Sequence, residues 1–302
     1  MTATPPFPEL LALIDSRSAA LRDAVAAAPD LVATVPGCPE WTLRDLVTHT
    51  GKVQRFWAAA VTAADDSGPP TAEQLGDREP PSMSPSGDGP SGAGPAGGAV
   101  AGAGPTGGDG PSGAGPAGGA AAGATRGGHE RHDVLLDWFA ASTESLLTAL
   151  RAAGPDTPCW AWWESSVAPL TAGTVARHQV QEAAVHAYDA QETIGSPEPI
   201  PAAAAVDGVS EFLTVCLGSR TPWPHRPARV AFQAIEGPSW TLDLSPSGAT
   251  VGPAASGDPV TRLQGRASDL VLALYRRIPL ADVRVDGDRE VAGQLREWCR
   301  ID

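Results

Sequence analysis

Glu182 and His186 stand four residues apart in the stretch Arg177–Asp189. On a helix that spacing puts both side chains on one face, one turn above the other. A carboxylate oxygen and an imidazole nitrogen so placed can grip a single divalent cation. A third donor has to come from another segment, and Leu46–Gly51 offers His49. Two histidines and one carboxylate make an open site with room for water or substrate, which suits chemistry better than structure. Spacing alone leaves the plainer reading open as well, because a Glu/His pair at this separation is also an ordinary helix-surface contact.

The remaining histidines are poorer candidates. His178 lies eight residues from His186, about 12 Å along a helix axis. Bonds of about 2 Å do not let both rings reach one ion, so His178 is excluded as a ligand. His129, His132 and His225 sit beside glycine- or proline-rich stretches and read as exposed side chains. Around the pair, Asp45 and Asp189 could orient ligand histidines, although a cap or a surface role fits each equally well. Arg55 and Arg177 could hold a carboxylate of a substrate or thiol by two parallel hydrogen bonds; solvated surface arginine is the alternative. Trp57 and the run Trp160–Trp163 could wall a pocket or simply fill a core.

The elements needed to position these groups follow from hydrophobic periodicity. Residues 9–28 carry Leu10, Leu11, Ile14, Leu21 and Val25 near a helical repeat, and Pro29 stops it. Residues 35–41, with two prolines and a glycine, form a turn that cannot be helical. Thr42 and Asp45 read as a capping box for a second helix over 43–64, with His49 on its inner face. A third helix is expected from His132, marked as far as Leu150 and ended by Pro155–Pro158, and a fourth from about 174 to 194 carries Glu182 and His186. Four helices with inward polar groups predict a four-helix bundle with a metal in its core.

Between the second and third helices the composition collapses. From about 66 to 130 glycine, proline, alanine and serine dominate, and the ten residues Pro90–Ala99 recur word for word as Pro111–Ala120. Such a segment buries too little surface to offset the entropy of ordering it, and it reads as a disordered insertion in the bundle. Beyond Pro201 the pattern becomes mixed. A helix over 203–217 precedes alternating strands at 229–234 and 240–244, short strands at 250–251, 260–263 and 283–285, and helices at 267–277 and up to Trp298. The expected organisation is a helical bundle over 1–200, with the 66–130 insertion, and a small α+β domain over 201–302.

Composition narrows the partners. A formal charge of -14 over 302 residues leaves no electrostatic footprint for nucleic acid. No basic run suggests an anionic membrane surface, no apolar stretch approaches the ~20 residues of a bilayer span, and no protein partner is signalled. The four cysteines, Cys38, Cys159, Cys216 and Cys299, form no CxxC pair and read as reduced structural thiols. No secretory signal is visible at the start of the chain. A cytoplasmic location is expected.

Two separated segments resemble one family. Val35–His49 is similar to the first signature of the mycothiol-dependent maleylpyruvate isomerase family, and Arg177–Asp189, with its Glu-Ala-Ala-Val-His-Ala-Tyr-Asp core, resembles the second. Gly265–Leu270 and Val283–Asp288 resemble the family's small C-terminal domain, which is related to sterol-carrier folds. The resemblance implies a DinB-like metal-binding bundle, with His49, Glu182 and His186 as ligands of a divalent metal, usually zinc. It implies mycothiol as thiol cosubstrate and a metal-held thiolate that attacks an electrophilic small molecule, in an S-transferase or a cis–trans isomerase. An arginine of the small domain assists that chemistry in the family, and the sequence does not place it here. A non-catalytic small-molecule-binding or regulatory relative and a DinB-fold hydrolase are the alternatives.

Overall fold

The computed structural model describes residues 4–76, 79–80, 121–220, 222–252 and 258–299, with 121–131 as backbone only. Helix α1 (Phe7–Ala27) buries Leu10, Leu11, Ile14, Leu21 and Val25 on one stripe. A two-stranded antiparallel ribbon follows, β1 (Thr34–Val35) and β2 (Cys38–Thr42). The expected turn is present at Pro36–Gly37, between the two strands, and the rest of 35–41 is extended. Helix α2 (Leu43–Ala63) starts on the expected box: Thr42 accepts from the Asp45 amide, and the Asp45 carboxylate accepts from the Thr42 amide. A single helical turn, α3 (Ala72–Leu75), lies inside the segment expected to be disordered. Helix α4 (Ala121–Ala153) begins eleven residues before the expected start at His132. The centre of that insertion, 81–120, lies outside the described residues.

Helix α5 (Ala172–Thr193) is buried on nearly every side, as befits the helix that α1, α2 and α4 all touch. Polar side chains pin the crossings: Gln54 donates to Ser18 at 2.9 Å and accepts from Thr143 at 2.8 Å, joining α1, α2 and α4. Gly51 lets α2 and α4 approach closely. A Cβ there would stand 2.3 Å from the Trp138 ring.

Past residue 200 the chain forms α6 (Ala202–Glu211), which runs on into a π-helical turn at Phe212–Cys216. A five-stranded sheet of order β5-β4-β3-β6-β7 follows: β3 (Ala228–Ala234), β4 (Ser239–Ser245), β5 (Gly248–Val251), β6 (Thr261–Gly265) and β7 (Arg284–Gly287). Only the β3/β6 pair is parallel. Val230, Phe232 and Ala234 alternate inward with Trp240, Leu242 and Leu244. Helices α7 (Ala267–Leu274) and α8 (Arg289–Trp298) cover the sheet. The helix expected to reach Arg277 stops at Leu274, and Arg276 adopts a left-handed φ of 65°, which turns the chain so that Arg277 heads back toward the bundle. The expected bundle and α+β domain are both present, and one apolar core runs from Leu10 through Trp163 and Phe212 to Leu295. No described helix is long and apolar enough to cross a membrane. All four cysteines are free.

Candidate metal centre

Helices α2 and α5 bring His49, Glu182 and His186 together. One donor atom from each lies within 4.8 Å of the other two, and this is the one such group among the described residues. Glu182 Oε2 is 3.5 Å from His186 Nε2 and 3.9 Å from His49 Nε2. Donors each ~2 Å from a common ion stand about 3.3 Å apart, so rotamer-scale adjustment closes the triad. That oxygen is buried and accepts no hydrogen bond, an arrangement that leaves it in want of a cation. The nitrogen and oxygen donor set fits a divalent transition metal. The mouth is open on one side, where the side chains of His49 and Glu182 are 38% and 21% exposed. Trp41 walls it, with its ring 4.6 Å from His49 and 6.0 Å from His186.

Outside the triad, His186 Nδ1 lies 2.9 Å from Asp189 Oδ2, a carboxylate with no exposed surface. Arg277, delivered by the turn after α7, donates to both oxygens of Asp189 at 2.9 Å. It also points Nη2 at Cys38 Sγ, 3.0 Å away. Burial opposes charge on His186, but the carboxylates of Asp189 and Glu182 outweigh it and raise its pKa to about 9. Burial also works against the Asp189 carboxylate, and its bonds from His186 and Arg277 nevertheless hold its pKa below the ordinary value. Burial pushes the Cys38 thiol up to about 11.

The other candidates have different partners. Asp45 is exposed and closes the α2 cap, so it orients no histidine. Arg55 donates to Ser142 at 2.7 Å and lies over the Trp138 ring, tying α2 to α4. Arg177 makes a buried pair with Asp207, Nε standing 2.8 Å from both carboxylate oxygens. Neither arginine is free for a substrate. Trp57 is buried in the core against Trp160 and Trp163. His225 is exposed as expected, whereas His132 is half-buried; the side chain of His129 lies outside the described residues. His178 stays out of the triad. Sequence reasoning missed Trp41, Cys38, Glu211 and Arg277. Trp41 and Cys38 lie within the first signature segment, so that segment was the available signal for them. Arg277 and Glu211 arrive through the three-dimensional fold, with no local pattern to mark them.

Comparison with known families places this geometry. The profile of the mycothiol maleylpyruvate isomerase N-terminal domain matches residues 11–191, and that of the corresponding C-terminal domain matches 203–294. The chain belongs to the mycothiol maleylpyruvate isomerase family. Among solved structures, a mycothiol-dependent maleylpyruvate isomerase shares the fold at a TM-score of 0.52 and 13% identity, covering 95% of this chain and 96% of that one. A histidine mutant of a mycothiol-dependent maleylpyruvate isomerase matches at a TM-score of 0.50 and 13% identity, with the same coverage. No curated protein matches the sequence. Both halves of this family are thus present in order, and the triad lies within the N-terminal match.

Proposed function

We propose that the protein is a metal-dependent, mycothiol-using enzyme, in which His49, Glu182 and His186 hold a divalent cation, zinc by the chain's resemblance to the family. Such a cation stabilises a thiolate over a thiol and leaves a position open for it. The observation that carries this reading is the convergence of three donors around the unpartnered Glu182 oxygen, in a chain of a family named for mycothiol. The thiolate would then be delivered to an electrophilic small molecule, as in an S-transferase or a thiol-dependent cis–trans isomerase.

Each neighbouring residue has a task in this scheme. Asp189 accepts the Nδ1 proton of His186 and so aims Nε2 at the centre. Arg277 neutralises Asp189 and holds it in place. This makes Arg277 the small-domain arginine that reaches the site. Trp41 shields one side of the mouth from water. Cys38, kept protonated by burial, does not compete with an incoming thiol.

Calorimetry with mycothiol, on protein with and without chelator, tests this reading. His49→Ala and His186→Ala should each lose both bound metal and thiol binding. Thiol binding that persists unchanged in metal-free protein overturns it.

A further inference from the structure

His178 lies outside the triad, yet it is one of the most constrained side chains in the molecule. Its Nδ1 stands 2.8 Å from Glu211 Oε1, with the ring almost fully buried and the carboxylate wholly so. The rings of Trp57, Trp162 and Trp163 surround it at 5.3 to 6.1 Å. Its other nitrogen, Nε2, faces Glu182 Oε1 at 3.8 Å. Glu182 is thus flanked on both sides along α5, with His186 near Oε2 and His178 near Oε1.

A carboxylate as buried as Glu211 needs a compensating donor. The second oxygen, Oε2, has no hydrogen-bond partner, so the ring of His178 supplies that role through Oε1. Glu211 is the last residue of α6, where the helix widens into the π turn. Such turns within helices occur frequently at functional sites.

We propose that the Glu211–His178 pair is a positioning device for Glu182: the locked ring confines Oε1 and so presents Oε2 alone toward His49 and His186. Carboxylates bind metals through one oxygen or through both. A ring fixed against one oxygen selects the first mode and sets the number of positions left open. His178 and Glu211 touch no substrate in this scheme and act only through Glu182.

The inference rests on the metal reading above, and cobalt(II), whose visible spectrum reports coordination number, tests the two separately. Wild type should take up one cobalt per chain with a strong visible band. Glu211→Gln and His178→Asn should bind cobalt about 10- to 100-fold more weakly, with a weaker band as Glu182 becomes bidentate. Should either single variant fail to fold, the double change His178→Leu/Glu211→Leu replaces the buried pair with apolar side chains, a swap that cores commonly tolerate. It should fold and show the same loss. Wild-type affinity and spectrum in folded variants overturn the positioning role and leave the metal reading standing. No cobalt uptake by wild type sinks both. A second cobalt per chain that is lost in His178→Asn would make His178 a ligand and overturn the positioning role alone.

Discussion

The residues around His186 form a chain of alternating charge: Glu182, His186, Asp189 and Arg277. In the metal-free protein this sets a pH dependence. His186 has a folded pKa of about 9 against an ordinary 6.5. Its contribution to stability is therefore complete below the ordinary value and is lost as pH rises through about 9. Melting of chelator-treated protein across the neutral-to-alkaline range should show that decline, and His186→Gln should flatten it. Removing the guanidinium has its own effect. Arg277→Gln removes one of the two charged partners of the buried Asp189 carboxylate and leaves His186, a loss of about 1.5–3 kcal/mol for a hydrogen bond to a charged group, readable by denaturant unfolding. The serial pair Glu182/His186 was legible in the sequence because helix periodicity alone puts the two on one face. His49 was legible as the inward histidine of another helix, and the resemblance joined it to the pair. Glu211 and Arg277 were not, since their partners lie 33 and 88 residues away in the chain. Asp45 shows the opposite case: its local role as a cap was readable from Thr42–Asp45, and the cap is what its carboxylate makes.

At the scale of elements, the site depends on how closely α2 approaches its neighbours. Gly51 is two residues from His49 and admits the Trp138 ring of α4. Gly51→Ala should force that rigid ring or the helix to move, at a cost of about 1–3 kcal/mol, and thermal melting will read it. The α2 cap is a milder lever, with Thr42→Ala expected to cost about 1 kcal/mol. Helix boundaries were legible where caps and prolines mark them, as at Thr42 and Pro155. The start of α4 was not, because glycine-rich composition argues against helix locally, where propagation from the following turns can extend it. The same holds for α7, which halts at Leu274 in an apolar run that periodicity would continue to Arg277.

At the scale of the whole molecule, the bundle and the sheet domain share one apolar core, and buried polar contacts cross between them: Arg177–Asp207, His178–Glu211 and Asp189–Arg277. Breaking any of these on one side leaves the other half with a buried charge short of a partner. The two halves should therefore unfold together. Differential scanning calorimetry should give a single transition whose calorimetric and van't Hoff enthalpies agree; two resolved peaks would contradict a shared core. The two-part organisation was visible in the change of pattern near Pro201. The contact between the parts was not, because it is made by scattered charged residues that each look solvated when read alone.

The position of Arg277 after α7 also bears on synthesis. The segment holding His49, Glu182, His186 and Asp189 leaves the ribosome while the turn that carries this guanidinium is still untranslated, 88 residues behind Asp189. Until then the carboxylate beside His186 lacks its second cationic partner, and the centre is finished only once the chain has been made past α7.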